Sequence, residues 1–191
     1  MKQFLSLLVL LTLIGCNSSL ENKDIEEVNS SAELIKDYAT LKELMKDAVL
    51  ISNVKVLSQE TIVHEGVPFT ISEVEIIKNY KGKEKKGKII KVIETGGIYT
   101  PKGKSEEDLD KVEYQINGVS TMENGEEYYL FLEEFVGPQV DGAYIPLGAY
   151  QGKFKVNKNK ITQETDYENK IKDFTEIDVE EFKNKLKDVN N

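Results

Sequence analysis

The spacing of hydrophobic positions changes several times along the chain, and each change predicts a different element. Phe4 to Ile14 is an almost unbroken apolar run, interrupted only by the hydroxyls Ser6 and Thr12. It is shorter than the roughly 20 apolar residues a membrane span needs and suits the hydrophobic part of a secretory leader. Asn17 to Ser30 (NSSLENKDIEEVNS) is polar and acidic, the composition of a flexible tether. In the next stretch Leu34, Tyr38, Leu41, Met45 and Ala48 step by three or four residues, with Ile35 and Leu44 widening the stripe. This predicts a helix over Ser31 to Lys46, capped by Ser31, with Glu33 placed favourably in its first turn.

From Ala48 the period becomes two, and strands follow. Ala48 to Leu57 is the first and Val67 to Tyr80 the second, with His64-Glu65-Gly66 as the turn between them. In the second strand the apolar positions are odd at Val67, Phe69 and Ile71, then even at Val74 and Ile76. That parity switch predicts a bulge near Ser72. Lys88 to Glu94 is a third strand. Glu126 to Phe135 is a fourth, apolar on both faces at its centre and therefore interior. Ala143 to Leu147, Lys153 to Val156 and Lys160 to Thr162 are shorter strands. Asn124-Gly125 and Asp141-Gly142 fit turns that need positive φ. A closing helix is expected over Asp178 to Val189, with Val179, Phe182 and Leu186 on one face. Gly96 to Asn124 is the irregular segment, with a short strand candidate at Val112 to Ile116. The class is mainly β (α+β): a small antiparallel barrel flanked by an N-terminal and a C-terminal helix.

The leader ends in Leu13-Ile14-Gly15-Cys16, placing the chain's one Cys directly after a small residue. This resembles a bacterial lipobox. The resemblance implies cleavage between Gly15 and Cys16 and a diacylglyceryl group on the Cys16 thiol. Two or more acyl chains hold a protein stably on a bilayer. The expected organisation is therefore a signal peptide over 1–15, a lipidated Cys16 and tether over 16–30, and one domain over 31–191. The expected location is the extracytoplasmic face of the cell membrane. Losing residues 1–15 removes one Lys and leaves 176 residues at a formal charge of −10.

Composition narrows the chemistry. The full chain has 191 residues, a formal charge of −9, one His, one Cys and no Arg. An internal disulfide, a Cys cluster and a multi-histidine zinc site are excluded from this chain alone. Nucleic acid is not expected as a partner, because phosphate backbones demand a basic surface. No GxSxG, HExxH or phosphate-loop spacing occurs, and no cofactor is implied.

The run from Asp47 to Phe135 resembles the netrin-like module of the tissue inhibitors of metalloproteinases, an OB-fold barrel. The residues that carry this are Asp47-Ala-Val-Leu-Ile, then Glu73-Val-Glu-Ile-Ile-Lys-Asn-Tyr-Lys-Gly, then Gly125-Glu-Glu-Tyr-Tyr-Leu-Phe. The chain departs from that family in lacking its disulfides. It also lacks the family's free N-terminal Cys, since Cys16 would carry lipid. The resemblance implies the fold and not protease inhibition.

Candidate binding residues follow from the same pattern. Gly96 and Gly97 after a strand could let a ligand approach the backbone closely. Tyr99, Tyr144 and Tyr150 could line a groove, as aromatic side chains do on OB-type faces. Lys81, Lys83, Lys85, Lys86 and Lys88 form a basic knot. It reads either as a solvated connection or as a contact for phosphate-rich polymer or lipid head groups. Glu106, Glu107, Asp108 and Asp110 cluster without the spacing of a calcium loop. His64 reads as a turn residue. The expected function is a non-catalytic, membrane-anchored binding module of the cell envelope. The alternatives are an envelope hydrolase using carboxylates such as Glu94, Glu106 or Asp108, and an accessory subunit of an envelope complex.

Overall fold

The fold is that of a computed structural model, which describes residues 25–33, 36–105, 107–163, 171, 174 and 176–187. The leader with Gly15 and Cys16, most of the tether, Leu34, Ile35, Glu106 and Val189 lie outside the described residues. Among the described residues no helix is long and apolar enough to cross a membrane.

The chain is mainly β. Strand β1 (Glu26–Ser30) is followed by helix α1 (Leu41–Asp47) and by the long strands β2 (Leu50–His64) and β3 (Val67–Lys81). Then come β4 (Ile89–Thr95), β5 (Gly97–Tyr99), β6 (Val112–Ile116) and β7 (Glu127–Glu134). The last elements are β8 (Tyr144–Pro146), β9 (Lys153–Asn157), β10 (Lys160–Thr162), β11 (Ile177–Asp178) and helix α2 (Val179–Lys187). The main sheet runs β11-β10-β9-β7-β2-β3-β4-β8, and β8 pairs back onto β7. The strands β2, β3, β4, β8 and β7 therefore close into a ring, through a parallel β4–β8 contact and an antiparallel β7–β8 ladder. A second sheet, β1-β6-β5, stands beside the ring.

Sequence and packing meet most directly in β7. Its alternate residues Tyr128, Leu130 and Leu132 fill the ring, together with Val54, Val74 and Val92. Tyr129 and Phe131 point the other way, into a core shared with Leu44, Phe154, Phe182 and Leu186. Aromatic rings meet there edge to face, Tyr129 on Phe182 at 5.0 Å and Phe154 on Phe174 at 4.8 Å. Both helices close this second core, α1 through Leu41 and Leu44 and α2 through Phe182 and Leu186.

Three expectations need correction. The first concerns the helix over Ser31–Lys46, which occupies only Leu41–Asp47. It starts at Thr40, whose hydroxyl accepts from the Glu43 N–H while the Glu43 carboxylate accepts from the Thr40 N–H. The residues before it direct their backbone groups elsewhere. The Ala32 N–H and C=O bond the side chain of Asn117, and those of Tyr38 bond the side chain of Gln151. Tyr38, Leu41, Leu44 and Ala48 are nonetheless all buried, so the stripe was legible although half of it is not helical. The second concerns the tether: residues 26–30, at its expected end, form β1 and pair in parallel with β6.

The third is the bulge near Ser72. The β3–β4 ladder is unbroken from Phe69↔Thr95 to Glu75↔Ile89. The extra residue is Leu57 on the partner strand, between the pairs Val56↔Val74 and Ser58↔Glu73. The parity switch has another cause. Val74 and Ile76 face the ring interior, while Phe69 and Ile71 join Ile93 and Ala143 in a small cluster on its outer face. The turn at Glu65-Gly66 is as expected, with φ of 51° and 81° at the two central residues.

Candidate functional site

The β3–β4 connection, residues 82–88, is rich in lysine but is not loose. The Asn79 side-chain amide donates to the carbonyls of Gly82 (3.0 Å) and Glu84 (2.6 Å), and accepts from the Ser52 hydroxyl at 3.0 Å. The Gly87 N–H donates to the Ile76 carbonyl at 2.8 Å, and Lys88 N–H to Lys85 C=O at 3.1 Å. Just before the loop, the Lys81 ammonium donates to the carbonyls of Met45 and Lys46, each at 2.9 Å. A cation there complements the negative end of α1. The loop is thus fixed to β3, whose last residue is in turn tied to α1.

Beside it lies an open groove of about 490 Å³ between the start of β4, the end of β7 and the approach to β8. Lys83, Lys88 and Lys91 line it, with Glu84, Glu134 and Tyr144. Tyr144 is 6% exposed and donates its hydroxyl to Glu84 at 3.1 Å. Burial, then the bond to Glu84, push its phenol up to about 12. Lys83 stands 3.6 Å from Glu134 with both side chains largely exposed, a pair worth little. Lys88 and Lys91 make no ion pair within 4.0 Å among the described residues. Lys91 does face Glu73 across the β3–β4 ladder. Apolar surface flanks the lysines: Ile89 is exposed and Phe135 half-buried, both on the groove.

A second, inner cavity of about 100 Å³ lies between the ring and the small sheet. Glu94 and Lys153 meet there at 2.8 Å, their side chains 5% and 3% exposed. The other Glu94 oxygen accepts from the Met122 N–H at 2.9 Å, and Lys153 also donates to the Ser120 carbonyl. Both carboxylate oxygens are engaged by the protein itself. The arrangement satisfies buried charge.

The expected binding residues do not come together. Tyr144 lines the lysine groove, Tyr150 the inner cavity, and Tyr99 packs edge to face on Tyr114 in the small sheet at 6.5 Å. The Tyr150 hydroxyl accepts from Asn117 at 3.3 Å. Gly96 and Gly97 carry the chain from β4 into β5. A Cβ on Gly96 would lie 2.6 Å from the Tyr114 carbonyl oxygen, and one on Gly97 2.0 Å from the Thr70 hydroxyl. The close approach they permit is to the protein's own chain.

The irregular segment 96–124 contains β5 and β6, and two of its acids serve the loop. Glu107 accepts from the Ser105 N–H at 2.8 Å, and Asp108 pairs with Lys102 at 2.5 Å. Among the described residues no three His, Cys, Asp or Glu side chains gather as metal ligands would. His64 closes the β2–β3 hairpin opposite Val67. The lysines are legible in the sequence; Asn79, which orders the loop carrying Lys83 and Lys88, is not. The signal is a lone Asn near the end of a strand that runs into Lys-Gly, just where side-chain amides satisfy turning backbone. No protein-family model and no curated protein sequence matches the chain.

Proposed function

We propose that the chain is a lipid-anchored protein of the extracytoplasmic membrane face whose ring of strands is an OB-type barrel acting as a non-catalytic binding module. The barrel reading is supported by five strands closing on themselves with long connections at their ends, the arrangement on which OB-type proteins place ligands. The segments that resemble the netrin-like module fall on β2, β3 and β7, all members of that ring. The observation that carries the binding reading is the groove, two of whose lysines, Lys83 and Lys88, ride on a loop held by Asn79 and Gly87. A site preformed in this way binds without the cost of ordering it.

The anchor is tested by fractionating cells that produce the chain with Cys16 or with Cys16→Ser. Cys16 should place it with membranes, and Cys16→Ser should release it. Equal membrane association of the two overturns the anchor. For the module, the full chain should capture an envelope component in fixed stoichiometry. A hydrolytic activity with no captured component overturns that reading.

A further inference from the structure

Past Val56, one edge of β2 is open. Strand β7 pairs with β2 only over residues 50–55, and Val56 then bonds Glu126 and Gly125. On the opposite edge β3 accompanies β2 as far as His64↔Val67. The two-residue turn Glu65-Gly66, with positive φ at both positions, makes His64↔Val67 a hydrogen-bonded pair. The next pair, Val63↔Pro68, is then not hydrogen-bonded. Pro68 agrees, since it has no N–H and its carbonyl accepts from Gly96 on the β4 side at 2.8 Å. The register is unbroken from His64 back to Ser58, so the backbone groups of Gln59, Thr61 and Val63 point away from β3. Among the described residues no backbone group pairs with Thr61 or Val63 on that side. Residues 58–64 hold neither Lys nor Pro, which blunt such edges, and Val63 is 53% exposed.

An antiparallel copy of this edge fits it only where outward-pointing residues stand opposite each other, which leaves few registers. Centred before Glu60, the copy runs into the part of the edge that Glu126 holds. Centred on Glu60, two carboxylates face each other. Centred on Thr61, the Glu60 carboxylate is set against Ile62, and centred on Val63, Thr61 is set against Glu65 in the turn. Centred on Ile62, Thr61 of each copy meets Val63 of the other, giving four N–H···O=C bonds. Glu60 of each copy then lies opposite His64 of the other, a carboxylate beside an imidazole. Ile62 faces its own copy. It already packs with Phe69 in the apolar cluster on the outer face of the ring, so the two clusters meet across the axis. The turn of the second copy stops opposite Gln59, short of Val56, and the antiparallel strands send the two rings to opposite ends. We propose that the protein forms a two-fold symmetric dimer through the open edge of β2, centred on Ile62, which joins the two main sheets into one. The dimer does not depend on the lipid anchor.

The test uses the full chain with Cys16→Ser in mild detergent, where an introduced cysteine is the one thiol. Ile62→Cys sets two Cα atoms about 4.5 Å apart across the axis, within the range of a disulfide. Under mild oxidation it should form a covalent dimer about tenfold or more faster than Val63→Cys, which lies two residues out of register with its own copy. Val136→Cys, 94% exposed after the end of β7, should be as slow as Val63→Cys. In sedimentation equilibrium the chain without an added cysteine should dimerise reversibly. Val63→Pro removes two of the four bonds across the axis and none to β3, and should weaken the dimer about tenfold or more. Unchanged circular dichroism and thermal unfolding show that this variant is folded, and the cross-linking comparison does not use it. A chain that stays monomeric, a dimer that Val63→Pro leaves unchanged, or equal cross-linking at positions 62, 63 and 136 overturns the proposal. Failure of the anchor shows separately, in the fractionation of Cys16→Ser, since dimerisation is read on unlipidated chain.

Discussion

Glu94 and Lys153 are 59 residues apart in sequence and meet where water barely reaches. Removing one partner of such a pair strands the other as a buried charge, at a cost of about 3–5 kcal/mol. Lys153→Met should destabilise the protein by that amount in urea unfolding. Adding Glu94→Leu to it should restore most of the loss, because the replacement is apolar on both sides. A loss below about 1 kcal/mol for Lys153→Met would mean the pair is hydrated. A second residue-scale expectation concerns Tyr144. Its phenol is raised in the folded state, so the neutral form is favoured there. Stability from this shift is complete below the unfolded phenol value of about 10 and disappears as pH rises toward 12. The stability advantage of the parent chain over Tyr144→Phe should therefore shrink between pH 10 and 12, measured by unfolding at each pH. A flat difference would show that Tyr144 does not titrate with folding. At this scale the sequence was least informative. Glu94 was visible as a carboxylate at the end of a strand, and Lys153 as the start of another. No local pattern joins residues whose contact depends on how the sheet closes.

Elements were far more legible, because their signals are local. The Glu65-Gly66 turn, the two-faced apolar strand β7 and the stripe of α2 all follow from spacing within ten or so residues. The errors came where tertiary contacts outweighed local pattern. The helical stripe gives way at Ala32 and Tyr38 to hydrogen bonds with Asn117 and Gln151. The parity switch in β3 reflects apolar clusters on both faces of the ring, while the register shift beside Ser72 places its extra residue, Leu57, on β2. Gly96 and Gly97 were recognised as sites of close approach, but the partner could not be read locally. Substitution separates the two reasons for a glycine. Gly66 has positive φ and open space around it, so Gly66→Ala should cost about 1–2 kcal/mol from backbone strain alone. Gly97 adds a steric overlap with Thr70 to the same strain, and Gly97→Ala should cost roughly 1–3 kcal/mol more. Thermal unfolding of the two variants checks the order. Equal losses would show that the β4–β5 crossing has slack.

At the scale of the whole molecule, the consequential feature is that the expected tether ends in a strand. Five residues of β1 pair with β6, the Asn117 N–H donates to the Ser30 carbonyl at 2.9 Å, and the Gly118 N–H donates to the Asn29 side chain at 2.9 Å. A domain taken to begin at Ser31 would omit all of this and leave β5 and β6 as a bare pair, which is marginal in water. The ring does not depend on β1, since its five strands close without it. Two chains, one starting at Ile25 and one at Ser31, should therefore differ in one region. Amide exchange over Val112–Ile116 should speed by about tenfold or more in the shorter chain, with exchange at Val54 and Leu130 in the ring unchanged. Uniform acceleration would mean that the small sheet and the ring unfold as one unit. Unchanged exchange at Val112–Ile116 would mean that β1 contributes nothing to the small sheet. In that case residues 26–30 would return to the tether.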